Sequence, residues 1–279
     1  MNLIEEVFAM LVPNIKNIYT CFPGGKHKVL TMSYDDGKVE DRRLVEIFNR
    51  HGIRGAFNLN AGIKGDSQRI PVEEYADLYR NHEIACHTYL HPTIERCPIE
   101  QVARQILQDR MELEDLIGMP VRGLAYPNGS YNKQIIDLLP MLGIRYARVV
   151  PTTGGFGMPE SFYAWSGTCH HNQNLLERGK AFLELHKTQY LYLMYVWGHS
   201  YEFTDKDNWQ VMEDFCAMMG GQDDIWYATN IEIVDYMEAA GRLQFTAAGD
   251  RVYNPSACSV WVEVDRQKVE VPGGELVKL

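Results

Sequence analysis

The chain has 279 residues, with 27 Lys and Arg against 37 Asp and Glu and a formal net charge of -10 at pH 7. An acidic chain without a Lys/Arg run lacks the basic surface that phosphate backbones require, which excludes a general nucleic-acid binder. Hydrophobic content of 46% and charged content of 23% are those of an ordinary globular protein. No stretch approaches the ~20 apolar residues of a membrane-spanning helix.

The N-terminus opens acidic, with Glu5 and Glu6, and its apolar run Phe8 to Val12 stops at Pro13. A secretory leader opens basic and stays apolar for longer, so a cytoplasmic location is expected. Cys21, Cys86, Cys97, Cys169, Cys216 and Cys258 form no CxxC pair, which argues against a zinc–cysteine cluster and against a disulfide framework.

In chain order, the apolar run Val29-Leu30-Thr31-Met32 predicts a buried strand. Leu44, Val45, Ile47 and Phe48 recur at helical spacing, and Gly52 follows as a stop. Residues 55–59 and 84–87 read as strands. Pro98 opens a long helix whose stripe is Val102, Ile106, Leu113 and Ile117, closed by Gly118. Residues 123–126, 146–150, 162–165 and 190–197 read as further strands, then 224–228 with a helix over 231–240. Alternating strands and helices imply a parallel sheet closed into a barrel, or nearly so, over residues 1–242. From about Leu243 short alternating runs (252–253, 260–264, 268–271) predict a small antiparallel β extension, residues 243–279.

Reactive groups of such a barrel gather where strands end. Ser33-Tyr34-Asp35-Asp36-Gly37 follows the first strand, His87-Thr88-Tyr89-Leu90-His91-Pro92 the third, Tyr126 to Asn128 the next and His199 the strand at 190–197. A carboxylate with two imidazoles holds a divalent metal and leaves positions open for water. Alone, Asp-Gly is a turn dipeptide, and HxxxH is more often a histidine-bearing loop than a ligand pair. Together they favour a metal. Adjacent carboxylates disfavour joint ionisation unless a cation offsets them, and a metal on one leaves the other to accept a proton near neutral pH. His87 and His91 would face one way if the backbone makes one helical turn, which Pro92 prevents from running on.

These segments resemble the polysaccharide deacetylase (NodB-homology) family, carbohydrate esterase family 4, over roughly residues 28 to 240. Its Thr-Phe-Asp-Asp-Gly motif stands here as Ser33 to Gly37, and its His-Ser/Thr-x-x-His-Pro motif as His87 to Pro92. The resemblance implies a distorted (β/α)7-type barrel and a metal-dependent hydrolase removing N-acetyl or O-acetyl groups from a carbohydrate. It implies Asp36, His87 and His91 as metal ligands, Asp35 as the base and His199 as the acid. The metal would be Zn²⁺ in the first place, with Co²⁺, Ni²⁺ or Mn²⁺ as substitutes, and a metal-activated water would be the nucleophile.

The chain departs from the family at three places. No arginine precedes Tyr126-Pro127-Asn128, so Arg148 is expected to orient the base, with Arg145 as the alternative. No Asp-Trp pair is present, and Trp165 is expected to supply the aromatic wall. Trp197 stands two residues before His199, where the family has leucine. Tyr126, Pro127, Asn128, Trp165, Trp197 and Glu202 are the expected substrate contacts, Glu202 alternatively tuning His199. The metal, with a main-chain N–H from the loop at Tyr126, is expected to stabilise the oxyanion. His170-His171 read as solvated loop histidines in preference to a substrate or second metal site. The expected partner is an acetylated sugar or glycoconjugate, with neither nucleic acid nor membrane. The competing readings are a carbohydrate-binding homologue with little turnover and an amidase acting on a non-sugar C–N bond.

Overall fold

A computed structural model describes residues 15–279; the acidic N-terminus, on which the expected location rests, lies outside them. The chain forms two compact units, residues 27–235 and, among the described residues, 15–26 with 236–279. Strand β1, Ile18–Cys21, belongs to the smaller one.

The larger unit is a parallel barrel. Strands β2 (Lys28–Asp35), β3 (Gly55–Leu59), β4 (Glu83–Cys86), β5 (Gly123–Ala125) and β6 (Tyr146–Thr152) pair in sequence order. Every residue of β2 to β5 is buried, which is why they read as nearly unbroken apolar runs rather than alternating ones. The ring closes through one short segment. Its first part, β7 (Trp165–Gly167), pairs with β6, and its second, β8 (Cys169–His170), pairs with β9 (Tyr192–Gly198). Strand β9 returns to β2, register Lys28↔Tyr192 to Tyr34↔Gly198, and β10 (Ile225–Tyr227) pairs with the first residues of β2. The register shift between Val149 and Thr152 is one source of the distortion.

Helix α1 (Asp41–Arg50) buries Leu44, Val45, Ile47 and Phe48. The short α2 (Tyr75–Leu78) precedes β4. Helix α3 (Ile99–Ile117) has Pro98 at its N-cap and ends on Gly118 at φ 68°, the left-handed stop that a residue without Cβ takes at least cost. Helices α4 (Lys133–Leu138), α5 (Leu175–Leu183), α6 (Tyr201–Asp205), α7 (Trp209–Met219) and α8 (Asn230–Gly241) follow. Among the described residues no helix is long and apolar enough to cross a membrane.

The structure corrects the sequence reading in two places. Residues 162–164 form a 3₁₀ turn opened by the Ser161 side chain, and only residues 165–167 are strand; a continuous aromatic run has no period to separate the two. The boundary at 242 also fails. β1 pairs antiparallel with β13 (Val260–Val264), whose other edge takes β14 (Gln267–Val271). A second sheet joins β11 (Gln244–Phe245), β12 (Arg251–Tyr253) and β15 (Leu276–Lys278). Val252, Val262, Val264 and Val271, drawn from both sheets, form the core of this smaller unit, with Ile18 packed against them. An N-terminal strand thus joins a C-terminal unit, a pairing too remote in sequence for local patterning to reveal.

Candidate active site

Asp36, His87 and His91 converge at the C-terminal edge of the barrel, one ligand-type atom of each lying within 4.8 Å of the others. The loop after β4 achieves this without a helical turn, contrary to the sequence reading: Thr88 and His91 adopt φ 63° and 54°, and Asp36 adopts φ 79°. Left-handed backbone at non-glycine residues costs on the order of 1–3 kcal/mol each and persists where surroundings enforce it. His87 Nδ1–H donates to the Ala125 carbonyl at 2.8 Å, which leaves the Nε2 lone pair facing the site. Burial also pushes the His87 pKa down to about 4, so the ring is neutral at pH 7.

His87 Nε2 and His91 Nε2 stand 3.1 Å apart. That is close to the ~3.3 Å ligand–ligand edge of a tetrahedral site with Zn–N bonds of about 2.0–2.1 Å. Two inward lone pairs and a carboxylate fit a divalent cation in number, charge and spacing. Asp109, buried on α3, accepts from the main-chain N–H groups of His87 (3.0 Å) and Ala61 (2.8 Å) and so fixes the root of the loop. Sequence reasoning missed it, although a carboxylate between Ile106 and Leu113 on an apolar stripe was a visible signal.

Asp35 points into the barrel beside this set. Its Oδ2 accepts from Arg148 Nη2 in a buried ion pair and lies 3.9 Å from both His87 Nε2 and His199 Nε2. Its Oδ1 accepts from Asn58 Nδ2 at 2.8 Å. Burial alone would raise the carboxyl pKa, but Arg148, His87 and His199 together hold it well below the usual carboxylate range. Asp35 is therefore ionised at neutral pH with Arg148 as its offsetting cation, a part the sequence reading gave to a metal. Arg148 occupies the register position opposite Ala125 on β6 and lies over the Trp197 ring at 4.4 Å. Arg145, three residues earlier, falls just before the strand begins.

His199 follows β9. Its Nδ1 is 2.8 Å from Glu202 Oε1 one turn later, at the start of α6. Burial opposes protonation of this ring, yet Glu202, with Asp35 and Asp36, raises its pKa above the ordinary histidine value. Glu202 also lies 3.3 Å from His170 Nε2 and 3.3 Å from His171 Nε2, and accepts from Asn172 Nδ2. His170, His171 and Glu202 have metal-like spacing. However, the Asn172 main-chain N–H donates to His170 Nδ1 at 3.2 Å, which puts the ring proton on Nε2, facing Glu202. The cluster is a carboxylate receiving several donors rather than a cation site, and His171 is buried, not solvated.

Several expected substrate contacts are corrected. Trp165 is 0% exposed, wedged against Tyr146, Phe162 and Tyr195, and offers no face to a ligand. Tyr126 is buried with its hydroxyl on the Tyr163 carbonyl, Pro127 is buried, and Trp197 underlies Arg148. Glu202 is engaged by imidazoles. Asn128 remains exposed at φ 55°, donating to Thr93 Oγ1. Of the main-chain N–H groups in the loop at Tyr126, that of Tyr126 itself is bonded to the Arg148 carbonyl. A pocket of about 390 Å³ does open beside Asp36, lined by Lys38, Gln68, Tyr201 and Asp205 among others.

Residues 23–147 match the family described as polysaccharide deacetylase. The uncharacterized protein YlxY of Bacillus subtilis (strain 168) is 24% identical over 96 residues, 34% of this chain and 29% of that protein, so the match spans under a third of the curated relative. A crystal structure from Mycobacterium smegmatis assigned to the polysaccharide deacetylases is 18% identical, covering 83% of this chain and 96% of that one, with TM-score 0.59. The CE4 domain of a multidomain xylanase from the hindgut metagenome of Trinervitermes trinervoides is 15% identical, covering 77% and 92%, with TM-score 0.52. A mutant of a Bacillus anthracis CE4 family pseudoenzyme, with restored enzymatic activity, is 14% identical, covering 77% and 70%, with TM-score 0.50. At such identities the structural likeness speaks for the barrel alone. Residues 23–147 thus carry the polysaccharide deacetylase match, and the barrel built around them is the fold shared with these structures.

Proposed function

We propose that the chain is a metal-dependent hydrolase that removes acetyl groups from a carbohydrate, acting on the N-acetyl amide in the first place. The observation that carries this reading is the juxtaposition of the Asp36–His87–His91 donor set with an ionised Asp35 and, 3.9 Å from Asp35, the imidazole of His199. A bound divalent ion, Zn²⁺ by its liking for nitrogen and oxygen donors, would lower the pKa of water from about 15.7 towards 7 and polarise the acetyl carbonyl.

Asp35, fixed by Arg148 and Asn58, accepts a proton from the attacking water; its low basicity is offset by its being ionised over the whole working range. His199, whose pKa Glu202 raises against the pull of burial, gives its Nε2 proton to the departing nitrogen, so an amine and not an amide anion leaves as acetate forms. The pocket lined by Lys38, Gln68, Tyr201 and Asp205 supplies hydroxyl-binding groups and one aromatic ring, which suits a sugar. The test is acetate release from N-acetylglucosamine oligomers. Release that stops with chelator and returns with Zn²⁺ or Co²⁺ supports the reading. Release indifferent to chelator sinks the metal assignment, and oligomer binding without release by metal-loaded protein favours a binding homologue.

A further inference from the structure

We infer that Arg69 and Asn60 form a bracket joining the two ligand-bearing loops, so that divalent-cation affinity depends on a guanidinium and an amide that coordinate nothing. The inference rests on the reading of Asp36, His87 and His91 as ligands.

Asp36 follows β2, whereas His87 and His91 follow β4, and between them in the sheet lies β3, whose exit carries Asn60. Asn60 is 1% exposed, and its Nδ2 donates to the carbonyls of both His87 and Thr88 at 2.7 Å. Its Oδ1 accepts from Arg69 Nη1 at 3.0 Å. The same Nη1 donates to the Asp36 main-chain carbonyl, and Nη2 to Asp36 Oδ1 at 3.3 Å. Asp66 Oδ2 faces Arg69 Nε at 3.5 Å and fixes the other edge of the fork. A continuous polar path therefore runs from the Asp36 backbone and side chain, through a planar fork and one buried amide, to the backbone of His87 and Thr88.

Each end of this path lands on or beside a left-handed residue, Asp36 at one end and Thr88 at the other. Those conformations need outside enforcement, and the bracket supplies it. Arg69 occupies Asp36 Oδ1, which leaves Oδ2 for the cation. Its charge opposes a divalent ion, so any help it gives to binding must come from geometry. A planar fork with several donors does this; a point-charge ammonium does not.

The experiment therefore uses variants that conserve charge. Arg69→Lys keeps the cation and loses the fork, and Asn60→Ala removes the amide. Dissociation constants for Zn²⁺ and Co²⁺ are measured by competition with a chromophoric chelator, with thermal melting as the check on folding. Removing groups that orient metal ligands typically costs about 10–100-fold in affinity, and that weakening is expected here. Arg69, on a part-exposed loop, keeps the test valid if Asn60→Ala does not fold. Unchanged or tighter binding by folded Arg69→Lys overturns the bracket and leaves the ligand assignment standing. Wild-type protein that binds neither ion overturns the ligand assignment and the bracket with it.

Discussion

On the wall that carries Asp36, His87 and His91, positioning runs through the main chain: left-handed φ at Asp36, Thr88 and His91, the Ala125 carbonyl on His87, and backbone groups gripped by the side chains of Asp109, Asn60 and Arg69. On the wall that carries His199, side chains do it. Glu202 collects His199, His170, His171 and Asn172, and Lys206 lies 3.6 Å from the same carboxylate. Ligands of a cation must hold fixed mutual distances, which backbone enforces well. A proton donor must hold a charge state, which a carboxylate with tunable partners sets more easily. Asp35, paired with Arg148, sits where the walls meet, its Oδ2 3.9 Å from a histidine of each.

The largest effects should come from breaking that junction. Asp35→Asn should lose about 10²–10⁴ in turnover while retaining metal, because a base and not a ligand is removed. Near-wild-type turnover in this variant would refute the assignment. Arg148→Met leaves a buried carboxylate unpaired, and breaking such a pair typically costs about 3–5 kcal/mol. A lower melting temperature should accompany a shift in pH profile. Arg148 lowers the Asp35 pKa, so its loss raises it, and the acidic limb of activity should move to higher pH. A limb that stays put while stability falls would make Arg148 a structural residue only.

The second prediction separates the walls chemically. Amide cleavage expels an amine, which leaves poorly unless protonated, whereas a nitrophenyl acetate expels a stable phenolate. His199→Ala should therefore reduce deacetylation of an N-acetyl sugar by about 10² or more, in the range of acid catalysis, and nitrophenyl acetate hydrolysis far less. Equal losses on both substrates, at unchanged metal content, would show that His199 holds the fold and not a proton.

The same contrast explains what the sequence disclosed. The wall that carries Asp36, His87 and His91 comes from short contiguous segments at strand ends, so Asp35-Asp36 and His87 to His91 were legible as motifs. Strands β2 to β5 were legible too, because parallel strands buried on both faces leave nearly unbroken apolar runs. Arg148 was reachable by asking which strand could supply a missing cation. Asn58, Asn60 and Arg69 were not, since their partners lie on other strands and loops and several of them are main-chain atoms. Trp165 and Trp197 misled because an aromatic beside a motif reads alike whether it faces a ligand or lies under an arginine. Glu202 was seen as a candidate, but its convergence with His170 and His171 depends on β8 closing the barrel against β9, which no local pattern encodes.

The smallest predicted effect bears on that convergence. His199 must be protonated to act, so activity falls as pH rises through its pKa, and the basic limb reports that value. Glu202 raises it against the pull of burial, and Glu202 itself is held well below the usual range by His170, His171 and His199, hence ionised throughout. Glu202→Gln removes the charge and leaves burial in command, so the His199 pKa should fall and the basic limb should move to lower pH. The other charged groups facing His199, Asp35 and Asp36, remain and limit the shift. His170→Ala acts oppositely. It withdraws a donor that competes for Glu202, leaving more of the carboxylate's charge to His199, and the limb should move slightly upward. Shifts of opposite sign in the two variants are what a shared carboxylate requires. Two shifts in the same direction, or none, would reduce the cluster around Glu202 to packing.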